Sequence, residues 1–279
     1  MNLERLAKQR ESIPVIVRAP PEVHATIFLR VYRHNPQDGA SPRMTTFRVP
    51  LTKGMTVLDA LLWAKEHADP SLAFRSSCRM GICGSCGLLI NGEPRLACET
   101  QIADLGTDVV EVAPLTNFPV IRDLATDFDD FFAHHRRMKP YVVREENGEV
   151  KPIEQELTQT EAERLAYYQF TMCIMCGLCD AACPIVALDR DFPGPQALAQ
   201  AYRFAADSRD ESGSERMKLV DTVHGCWRCE LAGSCSAVCP KGVDPGLAVQ
   251  LLKREVLRRR LARQEAPRER PSSPIRTAV

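Results

Sequence analysis

The sequence has no excess of one charge sign and no long apolar run, and each absence removes a class of function. Lysine plus arginine number 36, and aspartate plus glutamate also number 36. The net charge of the whole chain therefore gives no indication of nucleic-acid binding. No apolar stretch reaches the roughly 20 residues of a membrane-crossing helix. We predict no nucleic-acid partner and no membrane-spanning segment.

Signals for secretion and for several kinds of catalysis are missing too. The N-terminus has no apolar core region and no small-residue cleavage site, and the acidic Glu4 and Glu11 disfavour a transit peptide. There is no Walker loop, dinucleotide fingerprint or Ser-His-Asp set. We expect a bacterial cytoplasmic origin, and we expect any substrate chemistry to belong to a partner.

The pattern of the 279 residues predicts an α+β chain of two domains. Strands are expected at 25–32, 45–49, 88–90, 95–97 and 108–112, with a helix at 56–67, in a β-grasp arrangement over residues 25–115. Residues 1–24 are read as an arm. Residues 116–155 connect the domains and contain a predicted helix at 126–139.

Beyond the connecting segment, helices predominate. They are expected at 160–170, 196–206, 215–221 and 245–263, interrupted by cysteine-rich loops. This pattern predicts an all-α second domain over residues 156–264. The composition of residues 265–279, rich in Pro, Ser and Arg, predicts a disordered tail.

Cysteine is the residue that the chain has in abundance, with twelve in three groups. The first group follows C-x4-C-x2-C-x11-C, and its first part matches plant-type 2Fe-2S ferredoxins. Its members are Cys78, Cys83, Cys86 and Cys98. Glycines 81, 84 and 87 would let the backbone close around a cluster. A zinc knuckle also uses C-x2-C pairs, but zinc does not require the glycine-rich loop.

The second group, at 173–184, follows C-x2-C-x2-C-x3-C-P. In this bacterial ferredoxin pattern three thiolates bind one cluster, and the fourth binds another. A second cluster in the same domain is therefore implied.

The third group repeats that pattern with one cysteine missing. Cys229, Cys235 and Cys239-Pro240 align with it, but Ala232 stands where the middle cysteine would be. Cross-ligation then divides the thiolates into two sets. Four serve a 4Fe-4S cluster (Cys173, Cys176, Cys179 and Cys239), and three serve a 3Fe-4S cluster (Cys183, Cys229 and Cys235). Cys226 is left over, either as a small buried residue or as a fourth ligand.

These motifs resemble the iron-sulfur subunit of the succinate dehydrogenase and fumarate reductase family over about residues 25–255. The resemblance rests on SCRMGICGSCG (77–87), RLAC (95–98), CIMCGLCDAACP (173–184), YRFAADSRD (202–210) and CSAVCPKGVDP (235–245). It implies a β-grasp 2Fe-2S ferredoxin domain followed by a helical ferredoxin-like domain. It also implies electron transfer between an FAD-containing flavoprotein subunit and a membrane quinone through three clusters.

The resemblance further implies membrane anchor subunits, with or without haem b, and a peripheral position on the cytoplasmic face of the bacterial inner membrane. The tryptophan that succinate dehydrogenases carry after the first Cys-Pro is replaced here by IVAL at 185–188. NFPVIRDL (117–124), Gln250 and Lys253 instead resemble fumarate reductases of the enterobacterial type, which favours menaquinone. His224 and Trp227 are further candidates for the quinone vicinity; an exposed loop histidine and a tryptophan packed on a cluster are the alternatives.

Other interpretations compete with this one. His134 and His135 lie on a charged predicted helix, where solvated or interface histidines are expected. A soluble fumarate reductase fed by thiols would carry Cys-Cys pairs, and the sequence has none. A zinc-binding interaction protein would hold zinc in the same cysteines, and metal analysis would separate the two.

Overall fold

The structure is a computed structural model that describes residues 23–146, 149–150, 152 and 154–265. The predicted arm lies outside the described residues except for its last two positions. The predicted tail lies outside them except for residue 265. The Asn147-Gly148 dipeptide of the connecting segment is also outside.

A five-stranded sheet forms the N-terminal part. Its strands are β1 (Val23–Arg33), β2 (Arg43–Thr52), β3 (Gly87–Ile90), β4 (Glu93–Leu96) and β5 (Val109–Ala113). The order across the sheet is β2-β1-β5-β3-β4. The central β1 and β5 are parallel, and the other pairs are antiparallel. All five predicted strands are present, and most extend one to three residues further.

The turn between β3 and β4 consists of Asn91 and Gly92. Both residues have positive φ, 49° and 84°. A two-residue hairpin loop needs this conformation, and asparagine and glycine adopt it most readily.

Helix α1 (Val57–His67) covers one face of the sheet, as predicted. Thr56 caps it: its hydroxyl accepts a hydrogen bond from the backbone N–H of Asp59, whose carboxylate accepts one from the N–H of Thr56. The apolar side of α1 and the inward side chains of β1 form one buried core. Leu29 and Leu61 are fully buried in it. Such burial of apolar area is the main stabilisation of this part.

The connecting segment folds against both parts. Its elements are β6 (Val120–Arg122), β7 (Ala125–Thr126), α2 (Asp129–Arg137), β8 (Glu145–Glu146) and β9 (Glu149–Val150). Helix α2 is shorter at both ends than the predicted 126–139. Phe128 lies in front of it, where its ring stacks on Phe118 with 4.4 Å between centroids.

The C-terminal part is mainly helical. Its α-helices are α3 (Glu161–Leu165), α4 (Leu178–Ala181), α5 (Pro184–Leu188), α6 (Gly194–Ala205), α7 (Gly213–Val220), α8 (Ser234–Ala237) and α9 (Pro245–Glu265). Short 3-10 segments occur at Tyr168–Met172 and Cys226–Arg228. Helix α6 is buried along almost its whole length, so this part is built around it.

The predicted single helix at 160–170 is wrong. Helix α3 ends at Leu165, and Tyr167 has a φ of −129°, outside the helical range. A 3-10 turn follows. Both Tyr167 and Phe170 are buried, three residues apart. Since residues i and i+3 lie on the same side of a 3-10 segment, the tighter turn places both rings in the core.

Candidate iron-sulfur cluster sites

The loop at 78–87 directs its backbone amides at three of the four cysteines of the first group, and Cys83 Sγ accepts the N–H of Cys78 at 3.4 Å. Cys78 Sγ accepts the N–H groups of Met80, Ile82 and Cys83 at 3.3–3.4 Å. Cys98 Sγ accepts the N–H of Gly81 at 3.2 Å. Gly81 has a φ of +69°, and a Cβ there would overlap the Glu99 carboxylate. The loop therefore needs glycine at this position to turn its amides toward the sulfurs. Such amide hydrogen bonds stabilise the negative charge of an iron-bound thiolate.

The four thiols of this first group differ in their exposure to solvent. Cys86 and Cys98 are buried, whereas Cys83 is exposed. Burial raises the pKa of Cys86 to about 12. The Ser85 hydroxyl and backbone amides of the loop lower the pKa of Cys83 to about 6. Because a metal ligand must be a thiolate, cluster assembly here would release the proton of Cys86.

A second set of cysteines lines one cavity of the helical part. Cys173, Cys176, Cys179 and Cys239 surround it, together with Leu178, Gln196 and Val243. Burial raises the pKa of Cys176 to about 11 and that of Cys179 well above its usual value. The neighbouring Asp180 carboxylate accepts the backbone N–H of Gln196 at 3.3 Å, and burial raises its pKa to about 7. Cys183 does not line this cavity.

A third set lines a separate cavity. Cys183, Cys229 and Cys235 surround it, and Ala232 lies on the same wall. The rest of the lining is mostly apolar and includes Ile185, Phe192 and Val249. Three thiols and one alanine thus share this space, and the grouping is the one that the cysteine register predicts. All twelve cysteines are free of disulfide bonds, so each remains available as a ligand.

Cys226 is not among the residues that line either cavity. It is fully buried and packs in a core with Leu252 and Val256 of α9. Burial raises its pKa to about 11. This environment is that of a small apolar residue, the first of the two alternatives that the sequence left open.

The connecting segment forms hydrogen bonds to the backbone that lies between the two helical cavities. The Asn117 amide donates to the carbonyls of Asp180 at 2.8 Å, Ala181 at 3.2 Å and Cys183 at 3.1 Å. The Thr116 hydroxyl donates to Ala181 O at 2.6 Å. These carbonyls belong to the short stretch that joins Cys179 to Cys183. These hydrogen bonds therefore fix the distance between the two sets of thiols.

We expect Asn117→Gly to loosen this stretch. Asn117 has a φ of 68°, a conformation that glycine tolerates, so the variant removes the amide without adding backbone strain. Loss of a donor to buried carbonyls should cost about 1–3 kcal/mol. The measurement is the temperature at which the metal centres of the purified protein are lost. Asn117→Asp, which puts acceptors against the same carbonyls, should lose its metal centres at a lower temperature than Asn117→Gly. An unchanged temperature in both variants would contradict this role of Asn117.

The first loop lies directly against the second. A Cβ on Gly84 would come within 2.9 Å of Cys176 Cα, and one on Gly87 within 3.1 Å of Cys176 O. Lys241, which follows Cys239-Pro240, pairs with Glu99 at 3.2 Å. The core of the sheet part also includes Leu178 and Ala181. The two cysteine loops thus form one contiguous packed unit.

Two residues predicted near a quinone have intramolecular partners. The Trp227 indole N–H donates to Asp221 at 2.7 Å, and its ring packs against the hydrophobic core of the helical part. His224 is half exposed and pairs through Nδ1 with Asp189 at 2.8 Å. Packing on a cluster is the alternative that the sequence analysis gave for the tryptophan. The roles of both residues stay predictions.

The other two lie one turn apart on α9. The Lys253 ammonium donates to the carbonyl of Cys229 at 2.8 Å, so it supports the loop that carries this thiol. The Gln250 Nε2 is buried and has no acceptor within the described part of the chain. Lys253 therefore has a structural contact in addition to its predicted place near a quinone.

Sequence reasoning missed Asn117 as a contact residue, although it noted the segment that contains it. It also missed Gln196, whose amide lies between His135 and Cys173. Of the two alternatives expected for His135, solvated or interface, the solvated one is wrong, because this imidazole is half-buried and hydrogen-bonded to Gln196. The two glutamines in the otherwise apolar stretch 192–201, Gln196 and Gln200, were the available signal.

Comparison with known proteins agrees with the cysteine groups. Residues 28–133 match the family model of the 2Fe-2S iron-sulfur cluster binding domain, and residues 169–243 match that of the 4Fe-4S dicluster domain. The fold and these sites define an iron-sulfur protein that has a sheet-containing 2Fe-2S domain followed by a helical region for two further clusters.

Relatives place the chain more narrowly. It is 48% identical over 228 residues to the fumarate reductase iron-sulfur subunit of Mycobacterium tuberculosis, covering 81% of this chain and 91% of that one. The Escherichia coli O6:H1 fumarate reductase iron-sulfur subunit is 42% identical (80% and 89% covered). The succinate dehydrogenase iron-sulfur subunit of Paracoccus denitrificans is 38% identical (80% and 85% covered).

A solved structure, the Mycobacterium smegmatis Sdh1 complex in the apo form, contains a chain that is similar in fold. Its TM-score is 0.74 at 28% identity, covering 85% of this chain and 97% of that one. The protein belongs to the family of iron-sulfur subunits of fumarate reductases and succinate dehydrogenases, which are electron-transfer subunits of oxidoreductases. No helix among the described residues has the length and apolar character to cross a bilayer.

Proposed function

We propose that this chain relays electrons between a flavoprotein subunit that interconverts succinate and fumarate and a membrane quinone. The observation that carries the proposal is the arrangement of the cysteines. Three lie in a glycine-rich loop of the sheet domain with Cys98 after β4 beside them, four line one cavity, and three line another with Ala232. Low-polarity cavities lined by thiols, without disulfides, fit iron-sulfur clusters.

The proposed ligands follow these groups. Cys78, Cys83, Cys86 and Cys98 would hold a 2Fe-2S cluster. Cys173, Cys176, Cys179 and Cys239 would hold a 4Fe-4S cluster, and Cys183, Cys229 and Cys235 a 3Fe-4S cluster. Such clusters supply one-electron redox chemistry at potentials set by cluster type, burial and hydrogen bonds to sulfur.

The chain's own residues would hold the three centres in line. Gly84 permits contact between the first and second loops, and Asn117 fixes the stretch between the second and third sets of thiols. Ala232 withholds a fourth thiolate from the last cavity, which supports three iron atoms there rather than four. Electrons would therefore pass along the chain without a substrate site of its own.

The surface supports two kinds of partner. Met80 and Ile82, in the first cysteine loop, are 68% and 59% exposed, which fits docking of the FAD-containing flavoprotein there. Leu188, Val223 and Leu231 are 75%, 73% and 56% exposed. Leu231 lines the third cavity, and His224 beside Val223 bonds Asp189 beside Leu188. This apolar face fits the membrane anchor subunits, with or without haem b.

We further propose that the sheet with its covering helix is a β-grasp and that the helical part is ferredoxin-like. Through the anchor subunits the protein would be peripheral on the cytoplasmic face of the inner membrane. His224, Trp227, Gln250 and Lys253 would lie near the quinone. The resemblance of NFPVIRDL (117–124), Gln250 and Lys253 to fumarate reductases of the enterobacterial type is the ground for menaquinone.

Reduction of the complex tests this function. The chain is purified together with its flavoprotein and anchor subunits, and electron paramagnetic resonance (EPR) follows the clusters after addition of succinate or of a menaquinol analogue. We expect both reductants to change the signal of the 3Fe-4S cluster. A signal that responds to the quinol but never to succinate, in a complex with intact FAD, would contradict the relay.

A further inference from the structure

Gln196 is a buried amide at the second set of cysteines. It lies in the first turn of α6, is 1% exposed and lines the cavity with Cys173, Cys176, Cys179 and Cys239. Its Nε2 lies 3.1 Å from His135 Nδ1 and 3.9 Å from Cys173 Sγ. Its Oε1 has no hydrogen-bond partner within the described part of the chain.

The unpaired oxygen makes this amide costly. A buried acceptor without a donor destabilises a protein, whereas a leucine of similar size would fill the space without that cost. The structure retains the amide in spite of it. Only the two hydrogens on Nε2 give Gln196 a favourable interaction that such an apolar residue lacks.

Both neighbours fix the direction of the amide. If it were flipped, Oε1 would face the sulfur of Cys173, and two acceptors would meet in a water-poor cavity. In the observed direction the amide donates to His135 Nδ1, which needs a neutral imidazole with its proton on Nε2; burial lowers the pKa of His135 and so favours the neutral form. One amide hydrogen then points to His135 and the other to Cys173.

We propose that Gln196 sets the reduction potential of the 4Fe-4S cluster by donating an amide hydrogen to the Cys173 thiolate, with His135 as the residue that orients the amide. The inference rests on the proposed function. A donor to a cluster sulfur stabilises the more negative, reduced state, so it raises the potential. Gln196 is a positioning residue for electron transfer and contacts no substrate.

The same helix provides a matched control. Gln200, one turn further along α6, is 7% exposed and donates to Phe170 O at 3.0 Å. It has no bond to a cysteine in the described part of the chain. Gln200→Leu therefore removes a buried amide of the same helix without touching the hydrogen bond at issue.

The experiment is a redox titration of the whole complex followed by EPR, for wild type, Gln196→Leu and Gln200→Leu. In Gln196→Leu we expect the ratio of reduced to oxidised 4Fe-4S cluster at a fixed potential to fall about tenfold, a shift of about 59 mV for one electron. Gln200→Leu should keep the wild-type midpoint. The midpoints of the 2Fe-2S and 3Fe-4S clusters should stay unchanged in both variants.

Equal 4Fe-4S midpoints in Gln196→Leu and Gln200→Leu would overturn the inference. If Gln196→Leu does not assemble the cluster, Gln196→Glu decides: it keeps the volume, removes the donor and should lower the midpoint, and an unchanged or higher value overturns the inference. Coupling of an exchangeable deuteron to the reduced cluster should also weaken without Gln196. A wild-type complex that lacks any 4Fe-4S signal would instead overturn the proposed function itself.

Discussion

Ala232→Cys is expected to replace the 3Fe-4S signal by that of a second 4Fe-4S cluster. Ala232 lies on the wall of the cavity that Cys183, Cys229 and Cys235 line, at the position where the repeated motif would have its middle cysteine. A fourth thiolate there completes the ligand set of a cubane. EPR of the oxidised complex should lose most of its three-iron signal, and iron content should rise by about one atom per chain.

Cys226→Ala is the matched control for that substitution. Cys226 is also close in sequence to the third group, but it packs in the core beside Leu252 and Val256. Its removal should leave the three-iron signal and the iron content unchanged. If instead Ala232→Cys left the signal intact while Cys226→Ala abolished it, the register of the third group would be wrong.

Gly84→Ala is expected to separate the first cysteine loop from the second. Gly84 has a φ of +74°, and an added Cβ would come within 2.9 Å of both Cys176 Cα and Cys176 Cβ. The close neighbour is the backbone of another cysteine loop, which cannot rotate away. Overpacking of this kind costs about 1–3 kcal/mol in addition to the strain of positive φ. The 2Fe-2S signal should be lost at lower temperature, and its magnetic interaction with the 4Fe-4S cluster should weaken.

Gly54→Ala measures the backbone strain of a positive φ without a steric clash. Its φ of +76° is nearly the same, and nothing lies within 4 Å of the added Cβ. Gly54→Ala should therefore cost only the backbone strain and leave the magnetic interaction unchanged. Equal effects of the two substitutions would mean that the contact between the loops contributes nothing.

Much of the fold follows from local pattern. The alternation of apolar residues in β1 and the capping box of α1 are read directly from neighbouring residues, and both elements are where they were expected. The proposed division of the cysteines also rests on spacing, because a repeated motif carries its own register. The helix at 160–170 was wrong because burial of Tyr167 and Phe170 overrides local helix propensity.

The contacts around the cysteines depend on tertiary structure. Asn117 lies more than sixty residues from the carbonyls that it binds, and Gln196 lies 61 residues from His135. Neither spacing has a sequence signature. A charged helix surface predicted a solvated His135, but the packing of α2 on α6 brings this imidazole to a buried amide.

The most direct test of the account is an iron and sulfide count on the purified wild-type complex, combined with EPR spin quantification. The account predicts about nine iron atoms per copy of this chain, distributed over one 2Fe-2S, one 4Fe-4S and one 3Fe-4S cluster. Zinc in place of iron, or two four-iron clusters without a three-iron signal, would contradict it.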